Sequence, residues 1–290
     1  MAQASPSGTV TPRGRAVSPS IGLNAAIVAA TTDDPRVLTI RFGGGAGEGL
    51  PSGPLEAEHR TLDIGLRAWV GRQTSQTLGY VEQLYTFGDR DRMAGGATQP
   101  VRALTVAYLA LVREARPAGS ADAAWQSWYR FFPWEDWRDG RPPQLDAIIQ
   151  RLGDWATGAN EAERRLRQER IALAFAGGAW NEELALERYE LLYEAGLVAE
   201  AARDLGKKLP PDGGATGVAM AFDHRRILAT AIGRLRGKIK YRPVVFELMP
   251  PSFTLLQLQR TVEALSGVRL HKQNFRRLVE QQGLVEETGE

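Results

Sequence analysis

The sequence contains no cysteine, and its three histidines, His59, His224 and His271, lie far apart. Without cysteine there can be no disulfide, no Cys-based zinc site and no thiol nucleophile. The histidine spacing fits no metal-ligand pattern. The longest apolar runs, Leu23–Ala30 and Leu104–Val112, are too short to cross a bilayer, and no apolar segment near the N-terminus has the form of a signal peptide. We therefore expect a cytoplasmic protein.

Charge is distributed unevenly along the 290 residues. Residues 225–290 carry a net charge of +6, whereas residues 1–224 carry −4. The length suggests two domains. A basic end joined to a mildly acidic remainder is typical of a nucleic-acid-binding module attached to a domain with another task.

The C-terminal fifty residues predict two short helices with a tight turn between them. Pro250 and Pro251 prevent a helix from continuing through them. Thr254 and Gln257 have the spacing of a capping box, which starts a helix, and Gly267 is a natural end for it. The second helix spans Lys272 to Gln282, with a predicted buried stripe of Phe275, Leu278 and Val279.

The second helix is followed by Leu-Val-Glu-Glu at 284–287, which predicts a short strand. Helix, turn, basic helix and strand is the order of a winged helix-turn-helix. Because the chain ends at Glu290, we expect a shortened wing. Lys, Arg, Asn and Gln suit phosphates and base edges, so we predict double-stranded DNA as the partner. The predicted DNA-binding residues are Arg236, Lys238, Lys240, Thr254, His271, Lys272, Gln273, Asn274, Arg276 and Arg277. The alternative is a solvated basic face with no partner.

The remaining chain predicts a mixed α/β domain with strands at residues 21–30, 36–42, 80–87 and 103–112 and a helix at 56–72. A largely helical part follows at about residues 114–205 and includes a predicted helix at 182–203. We expect a disordered tail at 1–20, the α/β domain at 21–205, a linker at 206–217 and the winged helix-turn-helix domain at 218–290. The helical part starts near the aromatic stretch WQSWYRFFPW. That stretch predicts a buried core, with a nucleobase-stacking surface as the alternative.

Residues 53–75 resemble the Nudix box, G-x5-E-x7-R-E-U-x-E-E-x-G-U, in which U is apolar and the glutamates hold Mg²⁺. Gly53, Arg67 and Trp69 keep the frame. The positions of the four glutamates and the closing glycine have other residues: His59, Ala68, Gly71, Arg72 and Thr74. A hard dication needs several oxygen ligands, so we predict a protein that is not an enzyme and has no catalytic cofactor or metal site.

Outside the box, nearly the whole chain resembles the Nudix-related NrtR- and NadQ-type regulators of NAD metabolism. The resemblance is closest at the C-terminal stretch that starts RLRGKIKYRPVVFELMPPSF. The fold it implies is a Nudix-like mixed sheet with flanking helices and a helical addition, followed by a winged helix-turn-helix domain. The function it implies is a homodimeric repressor of NAD biosynthesis genes, which binds NAD, ADP-ribose or ATP without cleaving it.

A nucleotide effector needs an aromatic surface for adenine and donors for its phosphates. The predicted effector-binding residues are Arg41, Gly53, Arg67, Tyr85, Phe87, Arg90 and Arg92. Each of them alone has an equally simple structural explanation, such as Arg67 orienting the box loop. Two other functions stay open: a Nudix-type pyrophosphatase acting on a nucleoside diphosphate derivative, and an RNA-binding module, although RNA-binding signatures are absent.

Overall fold

The structure is a computed structural model. It describes residues 19–44, 47–89, 103–113, 122–176, 180–206, 213–241, 244–283 and 285–286. The predicted tail therefore lies almost wholly outside the described residues. So do Arg90, Arg92 and residues 207–212, which are half of the predicted linker.

A seven-stranded mixed sheet forms the first half of the chain. Its strands are β1 (Ser20–Ala30), β2 (Pro35–Phe42), β3 (Gly47–Gly49), β4 (Ser52–Pro54), β5 (Tyr80–Phe87), β6 (Ala103–Leu111) and β7 (Ala123–Ser127). The central order is β3-β2-β1-β6-β5; β4 pairs with β1, and β7 pairs with β2. Only β1 and β6 run parallel among these pairs. The predicted mixed α/β architecture is confirmed.

The two faces of the sheet bury different partners. Along β1, Leu23, Ala25 and Ile27 belong to a small core beneath helix α1 (Leu62–Thr74). The alternate positions Ala26 and Val28 belong to a large core on the opposite face. Side chains of a strand alternate between faces, so the continuous apolar run of β1 matches a strand that is covered on both sides.

Helix α1 begins later than the sequence predicts. A helix was expected from Glu56, but it starts at Leu62 because the Thr61 side chain accepts a hydrogen bond from the backbone N–H of Ile64, a capping contact. Residues 56–61 instead form a turn and loop. The helix ends after Thr74 with Ser75 in the left-handed conformation.

The helical addition packs as several short pieces. It contains α2 (Leu145–Thr157), α3 (Glu161–Ile171), α4 (Ala185–Glu194) and α5 (Ala199–Asp204), and a π-helical turn, Ala172–Ala176, extends α3. A single helix was predicted from Glu182 to Arg203. It is interrupted after α4, where Gly196 has a φ of 71°, a conformation that glycine adopts without steric cost.

The aromatic stretch forms a core. Trp128, Phe131, Phe132 and Trp134 are fully buried, and neighbouring rings meet edge to face, such as Phe132 and Trp134 at 5.8 Å between centroids. This confirms the predicted core and leaves these rings no free face for a nucleobase. The same core continues into helix α6 (His224–Tyr241) and into α7 (Leu255–Ser266) and α8 (Lys272–Gln282).

A buried ion network lies where the helical addition, α6 and α7 meet. Glu135 pairs with Arg188 of α4 and with Arg236 of α6, each at 2.5 Å, and all three side chains are wholly buried. Burial alone would raise the pKa of Glu135, but the two guanidinium groups outweigh it and hold that pKa below its usual value. The network is fully ionised and carries one excess positive charge. Five backbone carbonyls accept from the two arginines: those of Glu135, Ala174, Asn181, Glu182 and Leu265.

Because a buried ion that loses its partner is costly, we expect Arg236→Ala to lower the free energy of unfolding by about 3–5 kcal/mol. The matched control is Arg165→Ala on α3, whose ion pair with Glu169 at 3.1 Å is largely exposed; its effect should stay below about 1 kcal/mol. Urea unfolding of both variants provides the measurement. Equal losses in the two variants would contradict the structural role of the network.

Candidate functional site

A cavity of about 190 Å³ opens between the sheet and the N-terminal end of α6. Its volume lies below the roughly 300–1,000 Å³ of sites that enclose a whole drug-sized ligand, so it can take one ring system. The lining combines two aromatic rings with small and polar groups from β1, β4, β5, β6 and α6. The lining residues are Gly22, Leu23, Asn24, Ser52, Gly53, Phe87, Thr105, Phe222, Asp223, His224 and Ile227.

Asn24 is a polar residue within an otherwise apolar buried stretch of β1. Only 5% of it is exposed, and its side-chain oxygen has no hydrogen-bond partner among the described residues. By strand alternation it lies on the α6 face of the sheet, where it lines the cavity. A buried acceptor without a partner is uncommon in folded proteins and calls for a specific explanation.

His224 forms the opposite wall with a fixed tautomer. Its Nδ1 accepts a hydrogen bond of 3.0 Å from the backbone N–H of Leu50. Burial lowers the pKa of His224 to about 3, assisted by the positive charge of Arg203. The ring is therefore neutral at physiological pH. Since Nδ1 is the acceptor, the proton is on Nε2, so of the residues that line the cavity His224 is a possible donor and Asn24 holds a buried acceptor.

The structure brings together only some of the predicted effector residues. Gly53 and Phe87 line the cavity, whereas Arg41, Arg67 and Tyr85 do not. Arg67 donates to Asp63 at 2.9 Å and to the carbonyls of Leu78 and Gly79, as a residue that orients the box loop would. Tyr85 is 61% exposed on β5 with its ring 5.2 Å from that of Phe87. Their role in effector binding stays a prediction.

Sequence reasoning missed Asn24, Phe222 and His224 as cavity residues. One local signal existed, because an asparagine interrupts the apolar run of β1. Nothing local pairs it with residues 222–224, which lie some two hundred positions away and reach the sheet only through the packing of α6.

Helix α1 and the loop before it form an ion cluster at the position where a dication site would need several acidic groups. Arg72 donates to Glu56 at 3.0 Å and its guanidinium lies 3.9 Å above the ring of Trp69. His59 also contacts Glu56, at 3.3 Å. Within the described part of the chain, no group of three or more His, Cys, Asp or Glu residues could hold a metal ion. Glu56 has a guanidinium partner there, and the cluster lacks the several oxygen ligands that Mg²⁺ requires.

Helices α7 and α8 form a helix-turn-helix with well-defined ends. Thr254 and Gln257 make the reciprocal capping box, and Gly267 ends α7 with a φ of 79°. In α8, Phe275 and Val279 are buried. Leu278 was predicted to join them but is 50% exposed, because it lies on the flank of the helix and not on its core-facing side. Val285 and Glu286 form no strand, and the rest of the predicted wing lies outside the described residues.

Eight of the ten predicted DNA-binding residues are exposed. Five side chains of α8 are exposed and share its outward surface: Lys272, Gln273, Asn274, Arg276 and Arg277. His271 precedes them as an exposed N-cap without a side-chain capping bond. Thr254 and Lys240 are also exposed, although Thr254 caps α7 and Lys240 pairs with Glu183 at 3.3 Å.

Two predictions on α6 need correction. Arg236 was expected to contact DNA, and this is wrong because its side chain is wholly buried against Glu135. Lys238 pairs with Glu82 and donates to the hydroxyl of Tyr80 at 3.0 Å. Its ammonium group is thus held against β5, which removes it from the DNA-binding set. Charge density along α6 misled the prediction, because these cations serve the interior of the molecule.

The turn of the helix-turn-helix is attached to the helical addition. The hydroxyl of Tyr129 donates to the carbonyl of Ala264 at 2.6 Å, and the backbone N–H of Trp137 donates to the carbonyl of Gly267 at 2.7 Å. Arg236 of α6 donates to the carbonyl of Leu265 at 3.0 Å. Since α6 rises about 1.5 Å per residue, the cavity wall at His224 and this attachment at Arg236 lie about 18 Å apart on one helix.

The fold joins a Nudix-like mixed α/β sheet to a helix-turn-helix. Residues 245–290 match the family model of the NrtR DNA-binding winged helix domain. The chain is also 45% identical over 69 residues to the ADPR responsive transcriptional repressor NtrR of Acinetobacter baylyi. That alignment covers 24% of this chain and 28% of the relative, so it spans less than a third of either protein.

Solved structures share the fold over nearly the full length. Shewanella oneidensis NrtR superposes with a TM-score of 0.54 at 20% identity, covering 93% of this chain and 87% of that one. A MutT/nudix family protein from Enterococcus faecalis gives a TM-score of 0.57 at 18% identity, covering 97% and 86%. The predicted Nudix-like sheet with a C-terminal winged helix is confirmed.

The burial of His224 leads to a test by pH. Its pKa is lower in the folded chain than the value of about 6.5 in an unfolded one, so protonation favours unfolding and stability is lost as pH falls from 6.5 toward 3. At pH 5 the free energy of unfolding that is lost through His224 protonation is about 2 kcal/mol. We expect His224→Asn, which keeps an acceptor for Leu50 but cannot be protonated, to reduce the acid loss measured by urea unfolding. The control is His271→Asn at an exposed position, which should follow the parent protein; equal slopes for both variants would contradict the assignment.

Proposed function

We propose that this protein is a DNA-binding transcriptional repressor of NAD biosynthesis genes, controlled by an adenine nucleotide that its Nudix-like domain binds. The observation that carries the proposal is α8: the second helix of a helix-turn-helix, with five neighbouring basic or amide side chains exposed. Such side chains suit phosphates and base edges of the major groove. The match of residues 245–290 to a DNA-binding winged helix domain supports the same assignment.

ADP-ribose is the effector that we favour over NAD and ATP. The relative from Acinetobacter baylyi is named for its response to ADPR. The cavity, with its aromatic and polar walls, can take one ring of such a ligand. The cluster of Arg72, Glu56 and His59 at the box favours binding without hydrolysis, because a hydrolytic dication would need acidic groups that this cluster lacks.

Helix α6 provides the physical connection between effector and DNA. Its first turn lines the cavity through His224 and Ile227, and Arg236 farther along holds the carbonyl of Leu265 at the helix-turn-helix. An effector can shift DNA binding only if it binds two conformations with different affinity. A displacement at the start of α6 would reach the DNA-binding domain through this attachment.

We propose a homodimer on a palindromic operator, because a pair of recognition helices reads two half-sites one helical turn, about 34–36 Å, apart. A repressor acts where the chromosome is, so the cytoplasm remains the proposed location. No helix among the described residues is long and apolar enough to cross a membrane.

To test the DNA-binding surface, Lys272→Ala and Arg276→Ala are expected to weaken binding to the protein's own upstream DNA. A lost base contact should cost about 1–3 kcal/mol and relax specificity at one position, whereas a lost phosphate contact should weaken all sequences alike and reduce the salt slope by about one. Arg165→Ala, an exposed arginine on α3, is the matched control. Gel shifts at several salt concentrations measure both effects, and unchanged affinity in both α8 variants would exclude this surface.

The same gel shift identifies the effector. ADP-ribose, NAD and ATP are added separately, and we expect ADP-ribose to release the DNA at the lowest concentration. A single-stranded RNA of equal length tests the RNA-binding alternative, and tighter binding to it would favour that function. Incubation of ADP-ribose with Mg²⁺ tests the pyrophosphatase alternative: turnover that disappears when Glu56 is changed to Gln would replace our proposal by an enzyme.

A further inference from the structure

The cavity beside α6 has the chemistry of a nucleobase site. Two of its walls are the rings of Phe87 and Phe222, which can pack against a flat ligand, and Phe222 itself meets His224 at 5.4 Å between centroids. Gly22 adds no side chain on this face, where a Cβ would approach the cavity residue Thr105. Among the described residues, no Lys or Arg lines the cavity, so this part of the lining suits a ring better than a phosphate.

The polar groups of the cavity are arranged for a ligand edge that both donates and accepts. His224 supplies the Nε2–H donor, because Leu50 occupies its Nδ1. Asn24 supplies an amide whose oxygen is buried and unpartnered. A side-chain amide can pair with adenine through the N6 amino group and an adjacent ring nitrogen. Since Asn24 and His224 come from different elements, a planar ring between them would be held from two sides.

We propose that this cavity binds the purine base of the effector, with Asn24 as the residue that recognises its amino-bearing edge. This inference rests on the proposed control by an adenine nucleotide and names the part of the ligand that the cavity takes. The small volume of about 190 Å³ leaves the ribose and diphosphate outside. Glu56, Arg72 and Trp69 lie on the α1 side of β4, and Trp69 packs directly on Gly53 of the cavity wall.

The unpartnered oxygen of Asn24 gives the proposal a distinctive signature. In the absence of ligand, a buried acceptor without a partner destabilises the fold. Replacing it with an apolar side chain of similar size, Asn24→Leu, removes that penalty and is expected to raise Tm by a few degrees. The same change removes the contact to the base and should weaken ADP-ribose binding about tenfold or more. Stability and affinity thus move in opposite directions.

Thr39→Val is the matched control on the neighbouring strand β2. Thr39 is also a buried polar residue, but its hydroxyl has two acceptors within reach of its one proton, Glu48 at 2.6 Å and the carbonyl of Ala124 at 3.0 Å, and it does not line the cavity. Removing a satisfied group leaves Glu48 and Ala124 short of a donor. We therefore expect Thr39→Val to lower Tm and to leave ADP-ribose affinity unchanged.

Calorimetric titration of the full-length protein with ADP-ribose, together with thermal unfolding without ligand, provides both measurements for the three proteins. We expect Asn24→Leu, unlike Thr39→Val, to have a higher Tm than the parent protein and to bind ADP-ribose at least tenfold more weakly. Asn24→Leu with parental affinity would overturn the base assignment while leaving nucleotide control intact. Asn24→Leu with both lower Tm and lower affinity would also overturn it, because Asn24 would then be structural. If the parent protein binds none of ADP-ribose, NAD and ATP, the proposed control by nucleotide fails as well.

Discussion

The carboxylate of Glu135 is the constraint on which the arrangement of the domains depends. It is fully buried and pairs with two arginines from different helices, Arg188 of α4 and Arg236 of α6. Desolvation of three charges is expensive and is repaid only when geometry and additional hydrogen bonds are nearly complete. The backbone carbonyls that surround the guanidinium groups meet that condition. A small displacement of either helix would leave a buried charge unpaired, so the network restricts how α4 and α6 can move relative to each other.

That restriction extends to the DNA-binding end. Arg236 also holds the carbonyl of Leu265, and a Cβ at residue 267 would collide with the carbonyl oxygen of Glu135, so the glycine there serves both the turn and the close approach of two backbones. Tyr129 and Trp137 add two further hydrogen bonds to the same turn. The helix-turn-helix therefore packs against the core of the rest of the chain and is joined to it by side-chain and backbone contacts as well as by the covalent chain.

The sequence predicts well where a local physical rule decides. Capping chemistry located α7, because Thr254 and Gln257 act within its first turn and Gly267 ends it. Alternation and apolar content located the long strands. Prediction failed where distant packing decides: Arg236 and Lys238 look like solvent-facing cations of a basic helix, and only the three-dimensional fold brings Glu135 and Glu82 against them. For the same reason Asn24 and His224 could not be paired from sequence, since the sheet and α6 meet through long-range contacts.

These features together limit how an effector can act. Coupling between two sites amounts to about 1–3 kcal/mol in most regulated proteins, less than the cost of breaking a buried ion pair. A ligand at the start of α6 therefore lacks the free energy to detach the helix-turn-helix from Glu135. It can instead tilt α6 and its attached turn as one body. In a dimer, a small tilt of each protomer changes the separation of the two recognition helices, which the DNA fixes at about 34–36 Å per helical turn. Regulation of the proposed kind would thus act on the spacing of two intact DNA-binding domains, and the rigidity of the Glu135 network would transmit a shift at the cavity to that spacing.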